Sequence, residues 1–174
     1  MSIAAGPFAI AALLLAVAGA MKVASPADTA NALRGAGLPA SPRLVRAGGA
    51  IEALGGAYAF IEGDLIGAVL VALSYVLFAA FVAFALACDL PISTCGCFGK
   101  TDTPPSRVHL VFNLAAVIAA VTIAIDPSAG IADAVGSQPL SGVPFVMLVV
   151  IGTGLSLLTL SALPRVLASV REAQ

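Results

Sequence analysis

The chain has 174 residues, 60% of them hydrophobic and only 10% charged, with a formal net charge of −1. Soluble domains carry roughly 25% charged residues, so this chain lacks the polar surface that a water-soluble fold needs. Its near-neutral charge also gives no field to draw nucleic acid.

The apolar residues fall in blocks of about twenty, the length that crosses a hydrocarbon core about 30 Å thick. This predicts an all-α, polytopic transmembrane bundle, folded as a single domain over residues 1–174. The first block, about residues 4–22, carries no charge before Lys22. Secretory signals begin with a basic stretch, so the block is expected to stay as a membrane helix despite the small residues at Ala18-Gly19-Ala20. Residues 25–43 form a polar loop, within which ADTANALRGAG suits a short interfacial helix ended by Gly35 or Gly37. The second block, about 44–61, is weakly apolar and contains Glu52, and the acidic turn Glu62-Gly63-Asp64 separates it from the strongest block, 65–88.

Residues 88–107 (CDLPISTCGCFGKTDTPPSR) interrupt the pattern. Pro91, Pro104 and Pro105 exclude a continuous helix there. A fourth block follows at about 108–125, then a loop through Pro139, then a fifth block at about 143–163, with Pro164-Arg165 expected to open a polar tail.

Lys and Arg set the orientation. Alternating the loops puts Lys22, Arg34, Arg43, Arg46, Lys100, Arg107, Arg165 and Arg171 on one side, which is every basic residue of the chain. The other side receives Glu62, Asp64, Asp126 and Asp133. The expected topology is N-terminus outside, with the cysteine loop and C-terminus cytoplasmic.

Among candidate functional residues, Cys95 and Cys97 come first, separated only by Gly96. A disulfide across one residue closes a small strained ring, and strained disulfides are the oxidising, labile ones. Gly96 tolerates the backbone angles required, and Lys100 is close enough in sequence to favour a thiolate. The alternatives are metal or regulatory binding, or thiols with no chemistry. Cys88 is either a resolving thiol or a small residue at a helix end. A Cys₃His zinc site with His109 is weakened by the one-residue gap, and no metal is assigned.

Glu52 is the only acid deep within a predicted membrane helix, and such acids mark a functional site or a paired structural group. Gly48, Gly55 and Gly56 share its face, so it should point to a close helix contact, where it would hold a proton, meet a quinone head group or bond a neighbour. His109, the one histidine, and Asn113 lie four apart on the fourth block. Next to the cysteine loop, His109 would accept a proton or stabilise a thiolate, or else make ordinary interfacial hydrogen bonds.

Three stretches resemble the MauE (methylamine utilisation) family within the wider DoxX/DoxD-like membrane group. They are LLLAVAGAMKVASPADTANALRGAGLP, AIEALGGAYAF with Glu52 at the family's acidic position, and CGCFG (including Gly99) followed by a helix with His109 and Asn113. The likeness covers about residues 8–125 and departs at Phe112, where an Arg is expected. It implies a four-helix DoxX-like core with a fifth helix added. It also implies thiol–disulfide electron transfer or disulfide formation that supports an extracytoplasmic redox enzyme of the amine-dehydrogenase type. A thioredoxin-like partner and a quinone are the redox components this implies. The alternative is a non-enzymatic accessory or assembly subunit whose cysteine loop docks a partner or binds a metal. A cytoplasmic loop and an extracytoplasmic client pull in opposite directions.

Overall fold

The computed structural model describes residues 3–90, 92, 104–127 and 130–172, with the side chains of 133, 139, 165 and 167–172 excepted. The described residues form α1 (Ala5–Ala24), α2 (Pro26–Gly35), α3 (Pro42–Glu62), α4 (Leu65–Ala87), α5 (Arg107–Ile125), α6 (Ile131–Ser137) and α7 (Pro139–Glu172). Five of these, α1, α3, α4, α5 and residues Leu140–Pro164 of α7, are long and apolar enough to cross a bilayer. Large apolar side chains such as Leu54, Leu77, Val111, Ile118, Ile151 and Leu158 face outward, which only a lipid solvent tolerates on this scale. The protein is a multi-pass helical membrane protein.

The uncharged first helix lies at the centre. α1 packs most extensively on α3 and also touches α2, α4, α5 and α7. Its contribution to the main core is Phe8, Ala11, Ala12 and Leu15, which meet Ala59 of α3, Val71 and Tyr75 of α4, and Ala116, Ala120 and Ile123 of α5. Lipid tails are as apolar as leucine, so membrane helices gain by close approach of small residues instead. The α1–α3 seam is built that way. A Cβ on Gly56 would lie 2.6 Å from the Ala12 carbonyl oxygen, and one on Gly19 would lie 2.4 Å from the Ala53 nitrogen.

Local chemistry sets the helix ends. Pro occupies the first turn of α2 and α3, where its missing N–H costs nothing. Ser41 accepts from Leu44 N at the start of α3, and Asp64 accepts from Gly67 N at the start of α4. α2 ends in a Schellman closure: Gly37, at φ 77°, lets Leu38 N donate to the Leu33 carbonyl at 2.9 Å. α4 ends in the same way. Asp89, at φ 47°, lets Leu90 N reach the Ala85 carbonyl at 3.0 Å. The turn directs Ile92 onto Ala32 and Ala36, which pins the start of the cysteine segment against α2.

Two stretches differ from the sequence reading. The fifth span ends at Pro164, as expected, but the tail beyond it is not a loop: α7 continues as a helix to Glu172, with Pro144 and Pro164 inside it. Each proline deletes one hydrogen bond of the helix, a loss that membrane helices tolerate where neighbouring side chains or small local adjustments of the helix re-satisfy the freed carbonyl. The loop expected between residues 126 and 139 contains α6, which packs on α7 and on the end of α3. There Gly130 is so close that a Cβ would fall 2.1 Å from the Ile61 carbonyl oxygen.

Candidate functional site

Helix ends converge at one end of the bundle, among them the C-termini of α1 and α4 and the N-termini of α3 and α5, with α2 lying between them. Lys22, Arg34, Arg43, Arg46 and Arg107 are all carried at this end.

The polar centre of this end is an ion pair across the α1–α3 seam. Lys22 Nζ donates to Glu52 Oε2 at 2.5 Å, with the two side chains 6% and 18% exposed. The ammonium also sits 4.4 Å from the centroid of the Phe78 ring on α4, whose negative face attracts it. Three helices thus hold one lysine, which explains how its charge is accommodated so deep. Glu52 was expected to point to a close helix contact, and it does so, with a partner the sequence reading did not assign. The glycines around it divide by angle. Gly56 is in the seam, as expected, and so is Gly49, whose Cβ would meet Lys22 Cβ at 2.8 Å. Gly55 makes only ordinary contact with Leu70, and Gly48 has nothing near it.

Gly48 opens instead onto a cavity of about 310 Å³. Its walls are mainly apolar, from α2, α3 and α4, and include Leu33, Leu44, Phe78 and Phe81. Lys22 and Glu52 supply its charged floor, and the buried Thr29 of α2 adds a hydroxyl.

His109 and Asn113 form a second polar cluster, buried on α5 at 3% and 7% exposure. Ser106 caps α5, and its hydroxyl lies 2.8 Å from His109 Nδ1 rather than on a helix N–H. The imidazole is therefore held by the serine of the turn that ends the cysteine segment. The pocket between His109, Asn113, Leu14, Tyr75 and Phe78 is about 20 Å³, room for roughly one water. Phe112 packs on Tyr75 with centroids 6.3 Å apart. It completes an aromatic cluster with Phe78, which stands edge-on to Tyr75 at 5.7 Å. Tyr75 also donates to the Ala11 carbonyl at 2.9 Å. Phe78 lines both the larger cavity and this pocket.

Cys88 is exposed at the C-cap of α4 and forms no disulfide. Cys95, Gly96, Cys97 and Gly99 lie outside the described residues. The segment that carries them leaves α4 beside α2 and rejoins the bundle at Ser106 and His109. At the opposite end, Tyr58 donates to Asp64 Oδ2 at 2.7 Å. The Gly67 N–H, followed by this phenol, holds the Asp64 carboxyl below its ordinary value.

Among known families, the model described as methylamine utilisation protein MauE matches residues 1–126, which spans α1 through α5 and the whole of the site above. No curated protein and no solved structure matches the chain.

Proposed function

The chain belongs to the MauE family, and from that premise we propose that it is a membrane thiol–disulfide electron carrier that supports maturation of an extracytoplasmic redox protein of the amine-dehydrogenase type. Cys95 and Cys97 are its reacting pair. As a disulfide they oxidise the dithiol of a thioredoxin-like partner on the cytoplasmic side, so the support given to the extracytoplasmic client is indirect. One S–S bond forms on the partner, the Cys95–Cys97 bond opens, and two electrons and two protons arrive on this chain as two thiols. A lipid-soluble quinone then takes those two electrons and two protons, leaves as the quinol, and restores the disulfide.

One observation carries this reading. The cysteine segment departs and returns at the end of the bundle that holds His109 and the cavity floored by Lys22 and Glu52. A thiol must lose its proton before it attacks a disulfide, and His109 is the one imidazole in the chain. Five candidate spans, with the described basic residues at one end, favour a cytoplasmic cysteine segment and an external N-terminus. The likeness to the wider DoxX-like group favours the same chemistry.

Differential alkylation in intact cells and in inverted vesicles tests the reading. Cys95 and Cys97 are expected to be protected until reduction and then to react with an impermeant maleimide only in inverted vesicles. Cys95→Ser and Cys97→Ser should each abolish oxidation of the partner. Full function in both variants would remove the proposal and favour the accessory-subunit reading.

A further inference from the structure

The cavity above Lys22 and Glu52 has the features of a ligand site that opens to the bilayer. Its volume, about 310 Å³, falls within the range of small-molecule pockets. Leu44 and Leu77 border it and are 66% and 69% exposed, so a ligand enters from lipid. Its aromatic walls, Phe78 and Phe81, suit a flat ring.

The floor decides the charge of the ligand. Lys22 and Glu52 already neutralise each other. An anionic head would gain Lys22 but face the Glu52 carboxylate, and a cationic head would meet the reverse. A neutral head with an acceptor oxygen for the ammonium, and in its reduced form a hydroxyl for the carboxylate, suffers neither conflict. Lys22 keeps N–H groups beyond the one given to Glu52, and Glu52 bonds Lys22 through Oε2, leaving Oε1 for a donor.

We infer that this cavity binds the ring of a lipid-borne quinone–quinol pair, with Lys22 donating to a ring oxygen and Glu52 accepting from the quinol hydroxyl. The electron transfer it would serve rests on the function proposed above, whereas the binding itself does not. On reduction the ring gains two electrons and two protons from the two thiols of Cys95 and Cys97, which become one disulfide.

Gly48 supplies the decisive variant, because a side chain there enters the cavity without touching the α1–α3 seam. Full-length protein in phosphatidylcholine nanodiscs is titrated calorimetrically with decylubiquinone, and separately with oleate. Wild type and the Cys95→Ser/Cys97→Ser double variant should bind the quinone equally. Gly48→Leu and Leu77→Trp, each checked for an unchanged melting temperature, should bind at least tenfold more weakly, and oleate should not compete. Wild-type affinity in both cavity variants, or saturable binding of oleate but not of the quinone, overturns the site. A second arm follows oxidation of the reduced thiols by decylubiquinone. Binding as expected with thiols that stay reduced removes the electron-transfer reading and leaves the site standing. Thiols oxidised equally fast in Gly48→Leu remove the site and leave that reading standing.

Discussion

The bundle carries two polar pairs at the same end, and they are built on different principles. Lys22 and Glu52 sit on separate helices, bond each other across a glycine-lined seam, and border a cavity of about 310 Å³. His109 and Asn113 sit one turn apart on a single helix, around a space of about 20 Å³. The first pair ties helices together and keeps access to lipid; the second is enclosed by Leu14, Tyr75, Phe78 and Phe112. A pair buried at a seam ties two helices together, whereas the second pair is confined to one turn of a single helix.

The sharpest way to break this contrast is to remove one partner of the ion pair. Glu52→Leu strands the Lys22 ammonium and should destabilise the protein by about 3–5 kcal/mol in a denaturant titration in mild detergent, while the Lys22→Met/Glu52→Leu double variant should recover most of that loss. If the double variant is as unstable as the single one, the pair is not the source of the cohesion. Next comes the seam itself. Gly56→Ala places a methyl against the Ala12 carbonyl and Ala16 nitrogen and should cost about 1–3 kcal/mol, whereas Gly48→Ala should be neutral or slightly stabilising.

The sealed pair is expected to behave differently. His109→Gln should leave the melting temperature nearly unchanged but slow exchange with a partner dithiol by about 10²-fold or more, the usual contribution of a positioned base. Unchanged exchange would leave His109 the structural role of holding the Ser106 turn. The smallest effect lies at the far end of the bundle, which serves as a control for both pairs. The folded state depresses the Asp64 value, so its cap contributes fully above the ordinary carboxylate range. That contribution disappears as pH falls through the depressed value. Melting curves of wild type and Asp64→Asn should differ at pH 7 and converge in strong acid.

Much of the fold was legible in the sequence because block length alone identifies membrane spans. The end of the fifth span at Pro164 is legible from block length, whereas the helical turns from Pro164 to Glu172 are not, because block length reports apolar extent and not where a helix stops. α6 escaped because seven residues offer too little periodicity. Glu52 was legible because an acid is rare at that depth. Lys22 marks only the end of a span in the sequence, because periodicity gives the face of a helix but not the neighbour it meets. Gly48 and Gly49 both line the cavity, but they differ by one step of about 100°, enough to bring only Gly49 against α1 in the seam. The arginine expected at position 112 is replaced by a phenylalanine that packs tilted against Tyr75 and brings no charge to the site.

The ion pair also bears on how the chain is made. A lone helix with a carboxylate among its apolar residues enters the bilayer from the translocon at a cost that reaches about 2.5–3.5 kcal/mol for a charge at the helix centre, and α3 is the least apolar of the five spans. α1 emerges from the ribosome first and carries the matching ammonium. The older helix is thus placed to chaperone the younger one into lipid. A glycosylation-tagged α3 should be retained in microsomes less efficiently when synthesised alone, or behind an α1 with Lys22→Met, than in its natural order.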